Sequence, residues 1–65
     1  MIKNNLKKIR MSEYLMTGKE FAEMLNVGRT TYSNWEVGNS RPNLDIALEI
    51  AKKLNRNVND IWYLD

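Results

Sequence analysis

The sequence contains neither cysteine nor histidine, and in a chain of 65 residues this absence restricts the fold more than any other feature. A domain this small buries only about 60% of the surface that its unfolded chain exposes, so it usually needs disulfides, a metal or a partner subunit. Disulfides are impossible here, and a structural zinc site is not expected without its usual ligands. We therefore expect a compact helical core, a dimer, or both, without a metal or another cofactor.

The same composition argues against several classes of function. No Cys or His is available as a nucleophile or base, the three glycines are too scattered for a phosphate-binding loop, and there is no room for a sizeable pocket. The longest apolar run, residues 61–64, is far shorter than the roughly 18 residues of a membrane helix, and the N-terminus lacks the apolar stretch of a signal peptide. We expect a cytoplasmic protein that is neither an enzyme nor bound to a membrane.

The charges are distributed unevenly along the chain. Residues 1–41 carry seven bases and four acids, whereas residues 42–65 carry three bases and four acids. A basic N-terminal portion is compatible with a face that binds a polyanion, although the asymmetry alone is weak evidence.

Residues that cap or break helices divide the chain into five short helices. The first begins after Asn4 or Asn5, and Thr17 with Glu20 forms a capping box at the start of the second. Gly38 ends the third. The predicted helices span about residues 5–12, 18–25, 29–37, 44–54 and 58–62.

The fourth helix is unusually apolar. At 100° per residue, its apolar side chains cover an arc of about 200°, which is wide for a helix on the surface. They are Leu44, Ile46, Ala47, Leu48, Ile50, Ala51 and Leu54. We expect this helix to be the central one of the fold.

The second and third helices are joined by about three residues, which is the spacing of a helix-turn-helix unit. Ala22 is small enough for the third helix to cross close to it, and Val27 fills the turn. Tyr32 and Trp35, three residues apart, seat the third helix on the core.

The opposite face of the third helix is polar and contains no acid. The residues between about 100° and 200° from Tyr32 around this helix are Thr30, Ser33, Asn34 and Val37. Arg29 lies at the helix start, where its long side chain can reach forward. These side chains are of the kinds that bind the edges of DNA bases. We predict base contacts from Arg29, Thr30, Ser33 and Asn34, the alternative being a solvated helix face.

Matching segments extend over nearly the whole chain, from about residue 5 to residue 62. They are residues 5–10, 17, 20–22, 25–27, 29–31, 35–38, 41–42 and 44–54. On these residues the chain resembles the Cro and phage-repressor family of helix-turn-helix proteins, also called the XRE-like family. The resemblance implies an all-α, five-helix, lambda-repressor-like DNA-binding domain over residues 1–65, with the helix-turn-helix unit at about 17–37 and the third helix in the major groove.

The resemblance also implies further roles for individual residues. Arg10 resembles a family arginine that bonds the acid after Trp35, here Glu36, and so links the first helix to the end of the recognition helix. Phosphate contacts are expected from Lys19, Thr31, Asn39, Ser40 and Arg41. For Lys19 a solvated surface position is an equal alternative, and residues 39–41 could form a simple turn.

Three positions depart from the family pattern. Gly18 stands where the family usually carries a glutamine that contacts a phosphate and supports the recognition helix. Asn26 replaces the turn glycine and tolerates the same backbone conformation. Gly28 replaces the Ser or Thr cap of the recognition helix, at a cost of a few tenths of a kcal/mol. These departures concern the phosphate contact at Gly18 and leave the predicted fold unchanged.

The C-terminal run of large apolar residues exceeds what one small monomer needs. We expect residues 58–65 to form a dimer segment whose interface residues are Ile61, Trp62, Tyr63 and Leu64. The alternative is closure of the local core. Pairing of residues 1–3 with residues 63–64 as a two-stranded ribbon is a further interpretation of the chain ends.

These patterns favour a sequence-specific transcriptional regulator, specifically a homodimeric repressor that reads a palindromic operator on double-stranded DNA. No small-molecule effector domain is expected. Two alternatives stay open: an antitoxin that binds a toxin protein and regulates its own promoter, and an interaction adaptor that does not bind DNA. The acid-free face of the third helix favours DNA over the adaptor, and an antitoxin usually needs more surface than this chain offers.

Overall fold

The computed structural model describes all of residues 1–65. Five helices lie between the two strands of a short ribbon that is formed by the chain ends. The elements are β1 Ile2–Asn4, α1 Leu6–Ile9 continued by a π-helix over Arg10–Tyr14, α2 Gly18–Leu25, α3 Arg29–Val37, α4 Leu44–Lys53, α5 Val58–Ile61 and β2 Trp62–Leu64. None of the helices combines the length and the apolar composition needed to cross a membrane.

Local caps explain why α2 begins and ends, and why α3 ends, at the predicted residues. The Thr17 hydroxyl accepts a hydrogen bond from the Glu20 amide at 3.2 Å, while the Glu20 carboxylate accepts one from the Thr17 amide at 2.9 Å. Asn26 ends α2 in the left-handed conformation with φ 62°, and Gly38 ends α3 with φ 86°. The predicted helix-turn-helix unit is confirmed.

The core is entirely apolar and draws on all five helices. Its buried side chains are Leu6, Ile9, Phe21, Ala22, Leu25, Tyr32, Trp35, Ala47, Ile50, Ala51, Leu54 and Ile61. The Phe21 ring packs edge-on against the Tyr32 ring, with centroids 5.6 Å apart, and against the Tyr14 ring at 5.3 Å. Each large side chain buried in this way contributes about 1.5–3 kcal/mol, so α2 and α3 are fixed to each other through the core.

The arc of α4 is only partly covered. Ala47, Ile50 and Ala51 are buried, but Leu44 and Leu48 are 69% and 49% exposed. Helical periodicity correctly places all of these residues on one broad face, whereas the neighbouring elements cover only the middle of that face. Two leucines therefore lie in solvent at its edge.

The chain ends pair as an antiparallel ribbon, which confirms the interpretation based on the sequence with two changes: the first strand is shifted by one residue, to residues 2–4, and the second is one residue longer, residues 62–64. Ile2 lies opposite Leu64, Lys3 opposite Tyr63, and Asn4 opposite Trp62. Because the backbone becomes extended at Trp62, with φ −117° and ψ 132°, α5 ends at Ile61.

This change from helix to strand corrects one predicted interface residue. Ile61 is 0% exposed and belongs to the core of its own chain, so it has no surface left for a partner. Trp62 is half-buried, while Tyr63 and Leu64 are exposed.

Candidate nucleic-acid interface

One face of α3 is fixed to the rest of the protein by burial and by a network of hydrogen bonds. Tyr32 and Trp35 are buried, and the Tyr32 hydroxyl donates to the Glu36 carboxylate. Arg10 donates to the same carboxylate from Nε at 3.0 Å and from Nη2 at 3.2 Å. The structure thus brings Arg10 and Glu36 together in a two-point ion pair, the geometry in which a guanidinium binds a carboxylate most strongly.

Electrostatics keeps this network charged at neutral pH. Burial raises the pKa of Glu36, but hydrogen bonds from Arg10 and Tyr32 outweigh burial and hold the pKa below its ordinary value of 4.5. The pKa of Tyr32 is raised well above its ordinary 10.0, mainly by burial and then by the bond to Glu36. The tyrosine therefore stays a donor and the glutamate stays an acceptor.

Two further contacts of this face were not predicted from the sequence. The bond from Tyr32 to Glu36 spans four residues of one helix, a spacing at which side chains meet, so it could have been proposed. In contrast, the Asn4 side-chain amide donates to the Trp35 carbonyl at 2.9 Å across 31 residues of sequence. Only the folded chain reveals that contact.

The opposite face of α3 carries the predicted base-contacting residues. Arg29, Thr30 and Ser33 are exposed, and Asn34 is half-buried. The side chains of these four residues make no hydrogen bond or ion pair within the chain. Their donors and acceptors are therefore available to a ligand.

The predicted phosphate-contacting residues flank this face. Lys19 lies in the first turn of α2, Thr31 lies in the first turn of α3, and residues 39–41 follow the C-terminus of α3; all are exposed. The backbone amides of Asn39 and Ser40 bond the Asn34 carbonyl at 2.9 and 3.3 Å, which fixes the loop against the helix end. The side chains of these loop residues stay free.

Gly18 is a gap in this surface. A Cβ atom at Gly18 would meet nothing within 4 Å, so the fold would accept a larger side chain there. The glycine is thus not required by packing, and Lys19 is the basic side chain in the first turn of α2.

Two groups of exposed apolar residues lie outside α3. One is on the ribbon, where Leu64 and Ile2, 78% and 40% exposed, lie opposite each other on one face, and Tyr63, 41% exposed, lies on the other face. The other is the edge of α4, with Leu44 and Leu48.

Comparison with known proteins agrees with this architecture. A family model described as helix-turn-helix, of the XRE type, matches residues 6–61. The crystal structure of a "putative DNA-binding protein" from Bacteroides fragilis superposes with a TM-score of 0.75 at 27% identity, covering 95% of this chain and 98% of that chain. Comparison with curated proteins yields no match. Because the family model spans most of its length, the chain belongs to the XRE-type helix-turn-helix family.

Proposed function

We propose that this protein is a sequence-specific DNA-binding regulator of transcription, and that it acts as a homodimeric repressor on a palindromic operator. It would work in the cytoplasm, without catalytic activity. The observation that carries the proposal is the contrast within α3: its outer polar side chains have no partner in the chain, while its inner face is buried and bonded. Membership of the helix-turn-helix family and the likeness to the Bacteroides fragilis protein support it.

The chemistry of the outer face suggests how sequence would be read. Arginine can bond the O6 and N7 atoms of guanine with two donors, and asparagine can bond adenine at N6 and N7. We assign these roles to Arg29 and Asn34, with Thr30 and Ser33 making hydroxyl or methyl contacts. Lys19, Thr31, Asn39, Ser40 and Arg41 would bind phosphates and set the register of α3 in the groove.

Dimerisation follows from the amount of DNA that one domain can read. A single recognition helix covers only a few base pairs, which is too little to select a site among genomic competitors. Two-fold pairing doubles the contacts and places the recognition helices about 34 Å apart, one turn of B-DNA. The C-terminal strand carries the exposed apolar side chains of Tyr63 and Leu64 and the half-buried Trp62, and these support an interface on the ribbon.

Selection of bound sites from random duplex DNA tests the proposed function directly. We expect enrichment of one sequence with two inverted half-sites whose centres are about 10 base pairs apart. Failure to enrich any sequence would contradict sequence-specific binding, and enrichment of a single, non-repeated site would contradict the palindromic operator.

A matched pair of variants tests where the two copies meet. We expect Leu64→Ser to raise the dimer dissociation constant in sedimentation equilibrium and to weaken operator binding, and a covalently tethered pair to regain that binding. Leu48→Ser makes the same polar substitution at an exposed leucine of α4. It should change neither the dimer dissociation constant nor operator binding. If Leu48→Ser dissociates the dimer and Leu64→Ser does not, the interface lies on α4.

A further inference from the structure

Asn4 contacts three elements of the fold at once. It is the last residue of β1, where it pairs with Trp62 across the ribbon. Its side-chain oxygen accepts a hydrogen bond from the Leu6 amide at 3.0 Å, at the start of α1. Its side-chain NH₂ group donates to the Trp35 carbonyl at 2.9 Å, in the last turn of α3. Ribbon, first helix and recognition helix therefore meet at one part-buried amide.

The Trp35 carbonyl, which accepts the bond from the Asn4 side chain, lies in the last turn of α3, the helix that carries the outer polar face. The last carbonyls of a helix have no partner further along the helix, so other groups must satisfy them. The Trp35 carbonyl receives the Gly38 amide at 3.1 Å and the Asn4 side chain, while the Asn34 carbonyl receives the amides of Asn39 and Ser40. Among these partners, only Asn4 comes from a distant part of the chain.

Its neighbour Asn5 makes a bond of the same type in a different direction. The Asn5 side-chain amide donates to the Asp60 carbonyl at 3.0 Å, and the Asn5 backbone amide donates to the Ile61 carbonyl at 2.8 Å. Asn5 therefore ties the N-terminal segment to α5 and makes no hydrogen bond to α3. Comparing variants of Asn4 and Asn5 therefore distinguishes loss of the bond to α3 from a general loosening of the N-terminal segment.

We propose that Asn4 is a positioning residue for DNA recognition: it sets the C-terminal end of α3 relative to the terminal ribbon. The inference rests on the proposed function. Ser33 and Asn34 lie within one turn of the Trp35 carbonyl, and small displacements of these side chains cost the aligned bonds that discriminate bases. Since we place the dimer interface on the ribbon, this bond also connects the interface to the reading helix in each subunit.

Three variants isolate the bond. Asn4→Asp keeps the oxygen that accepts from the Leu6 amide but has no donor for the Trp35 carbonyl. Asn4→Ala removes both bonds without adding a charge. Asn5→Ala, the matched control, removes a bond of the same type that leads to α5.

The first measurement is amide hydrogen exchange, which requires no DNA. In Asn4→Asp we expect the amides of Gly38, Asn39 and Ser40 to exchange about three- to tenfold faster, the effect of losing one neutral hydrogen bond. The Leu6 amide should keep its protection in that variant and lose it only in Asn4→Ala. Unchanged exchange at the end of α3 in Asn4→Asp would overturn the proposal.

The second measurement is the ratio of affinities for the selected operator and for random duplex DNA at one salt concentration. Both Asn4 variants should lower this ratio about three- to tenfold, and Asn5→Ala should leave it unchanged. An equal loss on both duplexes, or an equal fall in Asn5→Ala, would overturn the positioning role. If the wild-type protein shows no operator preference, the proposed function fails, and the exchange measurement alone decides whether Asn4 fixes α3.

Discussion

The two faces of α3 differ in almost every physical property although they belong to the same nine residues. The inner face is buried at Tyr32 and Trp35, and it is bonded through Glu36 to Arg10. The outer face is polar at Arg29 and Ser33, exposed, and without partners in the chain.

We infer from this contrast that stability and the proposed DNA recognition depend on different side chains of one helix. Substitutions on the inner face should change the free energy of unfolding, and substitutions on the outer face should change DNA binding while leaving unfolding nearly unaltered.

Glu36→Ala should produce the largest loss of stability. It leaves the Arg10 guanidinium and the Tyr32 hydroxyl partly buried without their acceptor, and breaking such a pair from one side costs about 3 kcal/mol. Since a domain of this size rarely has more than about 3–5 kcal/mol of stability, much of the variant should be unfolded at room temperature. Urea unfolding followed by circular dichroism measures the loss.

The double variant Arg10→Met/Glu36→Leu serves as the control for that experiment. Replacing both charges leaves no unpaired ion, so the double variant should be more stable than Glu36→Ala. A loss below about 1 kcal/mol in Glu36→Ala would show that solvent replaces the network and that the inner face is held by apolar packing alone.

Asn34→Ala tests the outer face. We expect a loss of about 1–3 kcal/mol in binding to the selected operator, concentrated at one base pair of each half-site, with little change on random DNA. The free energy of unfolding should stay close to wild type, because the Asn34 side chain makes no bond in the chain. Equal losses on both kinds of DNA would remove Asn34 from the base-contacting set.

The decrease in the free energy of unfolding at acid pH should depend on Glu36. Its pKa is lowered in the folded protein, so the unfolded chain binds the proton more tightly. The contribution of the network is therefore complete above the ordinary pKa of 4.5 and is lost as the pH falls through the lower folded-state pKa. Urea unfolding from about pH 6 to about pH 3 should give a shallower decline for Glu36→Gln than for wild type. Parallel declines would mean that other carboxylates control this decrease.

Arg41→Ala should have a smaller and less selective effect on DNA binding. Loss of one phosphate contact lowers the slope of log affinity against log salt by about one and weakens binding to all sequences alike. Lys53→Ala is a suitable control, because Lys53 donates to the Met24 carbonyl and lies on α4, outside the proposed interface. An unchanged salt slope in Arg41→Ala would remove Arg41 from the phosphate-contacting set.

The features that could be predicted from the sequence are the local ones. Caps and breakers act within a few residues, so Thr17 and Glu20 set the start of α2, and Gly38 sets the end of α3, without reference to the rest of the chain. The apolar spacing of Tyr32 and Trp35 then determines which face of α3 is buried, and so which face is left for a ligand.

The features that could not be predicted depend on what covers a surface or on distant partners. The periodicity of α4 indicates its apolar arc but not its coverage, and so Leu44 and Leu48 are exposed. A run of large apolar residues does not show where helix changes to strand, so the sequence alone does not reveal that Ile61 belongs to the core. The bond from Asn4 to Trp35 has no local signal at all.

Leu15→Gly should give the smallest effect, a small increase in the free energy of unfolding. Leu15 follows the π-helix in the left-handed conformation with φ 53°, and this turn brings the Met16 carbonyl to Arg10 Nη1 at 3.0 Å. The conformation costs a residue with a Cβ about 1–2 kcal/mol, and the side chain is 83% exposed, so little packing would be lost. Glycine removes that cost but loses about 0.5–1 kcal/mol in backbone entropy, which leaves a net gain of about 0.5 kcal/mol. The urea midpoint should rise with an unchanged slope, and operator affinity should stay the same, because the turn is kept and the outer face of α3 is untouched.

Leu15→Ala separates backbone strain from the removal of an exposed apolar side chain: it keeps the Cβ and should give no gain. Equal midpoints for the alanine and glycine variants would show that the left-handed turn carries no strain worth relieving.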